Sequence, residues 1–140
     1  MPPPPVAAMT IPDEVDRFFG GKLRMGYLAS RRPDGHLAVV PLGVMIHEGR
    51  VRISSPSETF KLRNLRHDPH LAVCIPDPAD PRRYLMIRGT AQLAEDTDLA
   101  FLHWLAREHM GLEAFPDSAT ARSVITVVPE RFVFAGTHEG

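Results

Sequence analysis

Hydrophobic positions repeat with two different periods along this chain, and the switches between them mark out its elements. Val15, Phe18 and Phe19 recur at helical spacing, which predicts a first helix over Thr10 to Gly20. Pro12 suits its first turn, Asp13 and Glu14 suit its positive end, and Gly20-Gly21 stops it. The period then drops to two. Leu23 to Ser30 reads as a strand with Leu23, Met25 and Tyr27 on one face. Arg32-Pro33-Asp34-Gly35 is a turn signal, and His36 to His47 is a second, longer strand. Pro41 within it predicts an edge position or a bulge. Glu48-Gly49 turns the chain into a third strand, Arg50 to Ser55. Three strands joined by tight turns are antiparallel.

A helix over Thr59 to His67 follows, ended by Asp68-Pro69. Leu71 to Ile75 is a continuous apolar strand, and Pro76 to Arg83 reads as a proline-rich loop. Tyr84 to Leu93 is a further strand, with Gly89 marking a bulge or a close approach. Asp96 to Met110 is the clearest helix: Asp96 is placed to cap it, and Leu99, Leu102, Leu105 and Met110, with Phe101 and Trp104 nearby, form its apolar stripe. After a loop over Gly111 to Thr120, Ser123 to Val128 and Arg131 to Ala135 read as closing strands separated by Pro129-Glu130. About six or seven short-connected antiparallel strands with three helices define a mainly β class, closed or nearly closed into a barrel.

Composition narrows the function classes. A chain of 140 residues with 44% hydrophobic and 24% charged content is globular and sized for one domain. Residues 11–140 are assigned to that domain, and residues 1–10, with Pro2 to Pro5, to an extended mobile tail. The net charge of −1 disfavours nucleic acid as a partner. No apolar run is long enough to span a membrane, and no signal peptide is visible at the start. The single cysteine, Cys74, sits in an apolar strand and is expected as a buried core thiol of a cytoplasmic protein.

The chemistry-bearing stretch is Ile53 to Pro69. Ser54, Ser55, Ser57 and Thr59 offer hydroxyls, and Ser57 or Thr59 can cap the following helix. A helix start carries free N–H groups and partial positive charge, and Lys61 adds a full one. Such a site suits the phosphate of a small molecule, although an ordinary capped surface helix would carry the same residues. The standard dinucleotide and P-loop signatures are absent, as is the G-x-S-x-G elbow. His67 and His70 lack a zinc spacing, so no metal site is expected.

The order of parts is more specific than any one of them. A meander strand ends in serines, Lys61-Leu62-Arg63-Asn64-Leu65 follows, then Asp68-Pro69, an apolar strand, and Arg83-Tyr84-Leu85-Met86-Ile87-Arg88-Gly89. With Asp34-Gly35-His36 leading to Val40-Pro41, and Val128-Pro129-Glu130-Arg131-Phe132 near the end, this resembles the pyridoxamine 5′-phosphate oxidase-like, FMN-binding split β-barrel superfamily. More narrowly it resembles the flavin/deazaflavin oxidoreductases that use coenzyme F420. The resemblance runs from about Ile11 to Gly136. It implies a six- to seven-stranded antiparallel split barrel, a homodimer with two cofactor sites at the interface, and hydride transfer between F420, or alternatively FMN, and a small conjugated or heteroaromatic substrate.

The resemblance also assigns roles. Ser55, six residues before the lysine, matches the position that contacts the cofactor phosphate, with Ser54 and Thr59 beside it, and Lys61 matches the phosphate-binding lysine. Tyr84 matches the residue beside the ring, and backbone from Val39 through Pro41 to Leu42 lines the ring's other side. No catalytic acid, base or nucleophile is implied, because the cofactor carries the chemistry. One departure stands out: many members carry an arginine at or just before the residue preceding that lysine, where this chain has Glu58-Thr59-Phe60. Arg82, Arg83 or Arg63 would have to replace it, or the chain would be a flavin, F420 or haem carrier without turnover, or a structural dimer with an empty site.

Overall fold

The computed structural model describes residues 11–116 and 120–136; the N-terminal tail lies outside the described residues. The elements run α1 (Asp13–Phe19), β1 (Arg24–Arg31), β2 (Leu37–His47), β3 (Arg50–Pro56), α2 (Phe60–His67), β4 (His70–Asp77), β5 (Asp80–Glu95), a 3₁₀ turn (Thr97–Leu99), α3 (Ala100–His109) and β6 (Arg122–Ala135). Six antiparallel strands close a barrel in the order β1-β2-β3-β6-β5-β4. This is a mainly β split barrel with three helices around it.

Alternation builds the core. Leu28, Val44, Ile53, Val73, Ile75, Leu85, Ile87, Ile125 and Val127 point inward from the period-two pattern of all six strands and are buried together. Two helices close opposite ends of the barrel. Val15 and Phe19 of α1 join the core near the start of β1, where Arg24 donates to the Phe18 carbonyl. Leu62 and Leu65 of α2 join it at the other end, where buried Asn64 donates Nδ2–H to Ser30 Oγ at 3.3 Å. The third helix lies outside the barrel: Phe101 and Leu105 of α3 pack with Met45, Leu23, Trp104 and Val124 in a separate cluster.

Several expectations hold. The β2–β3 turn is a two-residue loop with Glu48 at φ 53° and Gly49 at φ 74°, both in the region a primed hairpin turn requires. Pro41 lies in the part of β2 that has β1 as its only strand partner, because β2 pairs with β3 only from Met45 to His47. Gly89 sits at a register shift, and a Cβ there would overlap the Val128 carbonyl oxygen. Asp96 caps α3 with both oxygens, accepting from the N–H of Phe101 and of Leu102 at 2.9 Å each.

Four expectations are corrected. The stretch Pro76 to Arg83 is not a long loop: β4 continues to Asp77 and β5 begins at Asp80. The two closing strands are one, and Pro129 is accommodated at the register shift opposite Gly89. Cys74 is half-buried on the outer face, since Leu71, Val73 and Ile75 take the inward positions of β4. Met110 lies beyond the end of α3 and is exposed.

Candidate functional site

The serines that end β3 point to opposite sides, as neighbours on a strand must. Ser55 faces inward at 0% exposure and is already bonded, donating to the Pro56 carbonyl at 2.9 Å and lying 3.3 Å from Thr59 Oγ1. Ser54 faces outward. There Arg122 lays two guanidinium nitrogens on Ser54 Oγ, Nε at 3.2 Å and Nη2 at 3.1 Å.

The start of α2 is tied to the start of β6 by three contacts. The Ser57 N–H donates to the Ala121 carbonyl at 2.9 Å, the Ser57 and Ser123 hydroxyls lie 2.8 Å apart, and Pro56 stands opposite Arg122 in the ladder. Thr59 is the N-cap: its Oγ1 accepts from the Leu62 N–H at 3.5 Å. The sequence left Ser57 or Thr59 open, and Ser57 is occupied with β6 instead. Lys61 follows in the first turn and is half-buried. Burial pushes its pKa down, and the positive charge of Arg122 pushes it down further. Arg122 is also lowered by burial, partly offset by the carboxylate of Asp96. The end of the barrel at α2 therefore holds two half-buried cations on adjacent elements, with the hydroxyl of Ser54 at one of them.

The remaining sequence-predicted residues lie elsewhere. Val39 and Pro41 are exposed on the outer face of β2, in a sheet surface with Met25 and Tyr27 of β1. Register continues this surface through Pro41, Tyr27, Cys74, Met86 and Val133 across five strands. Arg83 and Tyr84 line a cavity of about 430 Å³ at the α1 end, with Phe18, Phe134, Arg17 and Arg24. Tyr84 stands opposite Ala135, whereas Arg122 opens the same strand. β6 has 14 residues, about 40 Å of strand at its ordinary rise. Ser54, Ser55, Thr59 and Lys61 are thus brought together, and Arg83 and Tyr84 are not brought to them.

The sequence offered Arg82, Arg83 and Arg63 as a second phosphate contact, and each has another neighbour. Arg82 is held by Asp80 at 3.0 Å, Arg83 is at the α1 end, and Arg63 lies over the Phe60 ring at 5.2 Å. The residue that sequence reasoning missed is Arg122. It belongs to no local motif, and its partner Ser54 is 68 positions away. Among the described residues no group of three or more His, Cys, Asp or Glu could hold a metal ion, and no helix is long and apolar enough to cross a membrane.

The comparisons with known proteins agree with this architecture. The family described as pyridoxamine 5′-phosphate oxidase matches residues 11–135, and the chain belongs to that family. An F420 reductase is 28% identical, with a TM-score of 0.74 over 88% of this chain and 98% of its own. A candidate pyridoxamine 5′-phosphate oxidase from Listeria innocua is 24% identical, with a TM-score of 0.70 over 89% of this chain and 98% of its own. A heme binding protein from Mycobacterium smegmatis is 20% identical with a TM-score of 0.69; it aligns with all of this chain, which spans 57% of it. The second and third of these establish a common fold. No curated protein matches the chain.

Proposed function

We propose that this protein is an F420-dependent oxidoreductase that exchanges a hydride with a small conjugated or heteroaromatic substrate, with FMN as the alternative cofactor. The observation that carries this reading is the pair of half-buried cations, Lys61 and Arg122, where the capped start of α2 meets β6. Burying two like charges close together costs stability, and a bound phosphate recovers that cost. The 28% identity to an F420 reductase over nearly its whole length favours the deazaflavin over the flavin.

The residues fit such a cofactor. Lys61, Arg122 and Ser54 would hold the phosphate, and the exposed apolar positions Tyr27, Val39 and Pro41 would face the ring. The ring system supplies the hydride chemistry when bound. The chain supplies binding, orientation and exclusion of water, which accounts for the lack of an acid–base pair or nucleophile in the site.

A second copy of the chain completes the site. Met25, Tyr27, Leu37 and Val39 are 59%, 46%, 68% and 62% exposed on one sheet face, and contiguous apolar surface of this kind is usually covered. Tyr84 lies at the α1 end of the barrel and Lys61 at the α2 end, so we assign the Tyr84 that covers the ring to the other copy.

The test is a fluorescence titration with F420 and, separately, with FMN, repeated on Lys61→Ala. The reading predicts F420 binding that Lys61→Ala weakens tenfold or more, about 1.4 kcal/mol, and reduction of an acceptor by reduced F420. FMN binding without an F420 response moves the assignment to FMN. Bound cofactor that no acceptor reoxidises makes the protein a carrier, a reading that Phe60 in the common arginine position favours.

A further inference from the structure

Beside Lys61 the start of α2 meets a guanidinium delivered from β6. We propose that Arg122 is the second phosphate anchor of this site, and that Ser54, not Ser55, is the hydroxyl the phosphate meets. This rests on the reading that a phosphorylated ligand occupies the start of α2.

Geometry supports each half. Ser55 is closed to any ligand: it is fully buried and its hydroxyl is engaged with Pro56 and Thr59. Ser54, its neighbour, faces out beside β6 and holds Arg122 by two nitrogens. That fork leaves Nη1 free of Ser54 and fixes the plane of the guanidinium before any ligand arrives. The Phe115 ring, 5.7 Å away, supports the group from another side. Meanwhile the Ser57 contacts to Ala121 and Ser123 fix α2, and so Lys61, relative to the strand that carries Arg122. The residue before Lys61 is Phe60, which is 71% exposed and lies under Arg63, so α2 itself offers no second cation beside the lysine there. An anion at this site is therefore approached by a planar, preorganised donor from β6 and a point charge from α2.

The competing positive charge is not left uncompensated. Asp96 faces Arg122 closely enough to raise its pKa, but its two oxygens are each engaged by backbone N–H groups of α3. It acts as a fixed counter-charge, in a cavity that Glu58, Glu95 and Asp98 line together with Arg122.

The experiment measures phosphate selectivity, the ratio of FMN to riboflavin affinity or, where F420 alone binds, of F420 to its phosphate-free deazaflavin riboside, in Arg122→Gln, Arg122→Lys, Ser54→Ala and Ser55→Ala. Riboflavin lacks the phosphate, so a general loss of folding lowers both affinities and leaves the ratio intact. Arg122→Gln lowers the ratio about tenfold, the scale of one charge-assisted contact. Arg122→Lys recovers part of that loss, Ser54→Ala lowers the ratio and Ser55→Ala does not. An unchanged ratio in Arg122→Gln, or a loss in Ser55→Ala but not Ser54→Ala, overturns the proposal. If neither flavin nor F420 binds, the functional reading fails, and inorganic phosphate decides the anchor alone. A saturable shift of the Arg122 Nε–H resonance on titration with phosphate upholds it, and no shift overturns it.

Discussion

Arg122 holds Ser54 Oγ with Nε at 3.2 Å and Nη2 at 3.1 Å across 68 residues of sequence, and the same arginine depresses the pKa of Lys61. The charge that makes the α2 end of the barrel attractive to an anion is thus a cost to the empty protein. Lys61 has a folded pKa below its unfolded value, so below that folded pKa its charge opposes folding, and the opposition fades as pH rises through it. Lys61→Met should therefore leave stability unchanged or raise it, by less than about 1 kcal/mol because the group is partly solvated. Urea unfolding near neutral pH checks this. The same variant should lose phosphate-dependent ligand binding, separating the two roles of the lysine.

Asn64 gives a contrasting prediction in the same helix. It is 3% exposed and its only side-chain partner among the described residues is Ser30 Oγ on β1. Asn64→Ala removes that tie and leaves the buried Ser30 hydroxyl without its donor, which costs about 1–3 kcal/mol. Chemical denaturation reads this directly. Because α2 carries Lys61, the variant should also weaken ligand binding, whereas Asn64→Asp should be worse than Asn64→Ala, since it buries a charge.

His47, packed against α3, sets a pH dependence of its own. Its ring lies 4.9 Å from Phe101 and 4.3 Å from Trp104, and its Nδ1 is 2.7 Å from Arg52 Nη1. A guanidinium only donates, so Nδ1 accepts and the imidazole is neutral. Burial lowers its pKa, with Arg52 adding to the effect and Glu48 and Asp96 opposing it. A histidine held neutral contributes full stability above its unfolded pKa of about 6.5 and loses it as pH falls toward the lower folded value. Unfolding midpoints should drop between neutral and mildly acid pH, and the drop should be smaller in His47→Gln. Trp104, the sole tryptophan, reports the loosening of α3 by its fluorescence.

Gly89 tests the barrel's closure. Its missing side chain lets β5 approach β6 at the bulge, where a Cβ would overlap the Val128 carbonyl. Gly89→Ala must push the strands apart and should cost about 3 kcal/mol, at the upper end of overpacking. Differential scanning fluorimetry should show a large fall in Tm, with soluble yield reduced as well.

Local patterns carried most of the fold. The meander, the helix at α2, the Asp96 cap and the Gly89 bulge each depend on residues close together in sequence, so their signals survive without tertiary information. The misreadings came from contacts between distant residues. Pro129 reads as a break, but it is tolerated because Gly89 faces it from another strand. Cys74 reads as core because an apolar run does not reveal which alternate positions face inward. Of the site, Lys61 and the hydroxyls around it were legible as a helix start that would hold an anion. Ser55 was preferred to Ser54 through resemblance, although only the register of β3 decides which one faces outward. Arg122 was invisible, because an arginine after a loop has no pattern and its partners arrive from β3 and α2.

In the proposed dimer, one cofactor is held at its phosphate by Lys61 of one copy and covered at its ring by Tyr84 of the other. Complementation tests it most directly. Lys61→Ala and Tyr84→Ala proteins, each deficient in F420 binding, are unfolded, mixed in equal amounts and refolded together. In a two-fold dimer, half of the molecules are mixed, and each mixed dimer has one site with both native residues. The account predicts that about a quarter of the wild-type binding capacity returns on mixing. No recovery, with dimers confirmed by mass, would place both residues in the same copy's site or in none and would contradict the account.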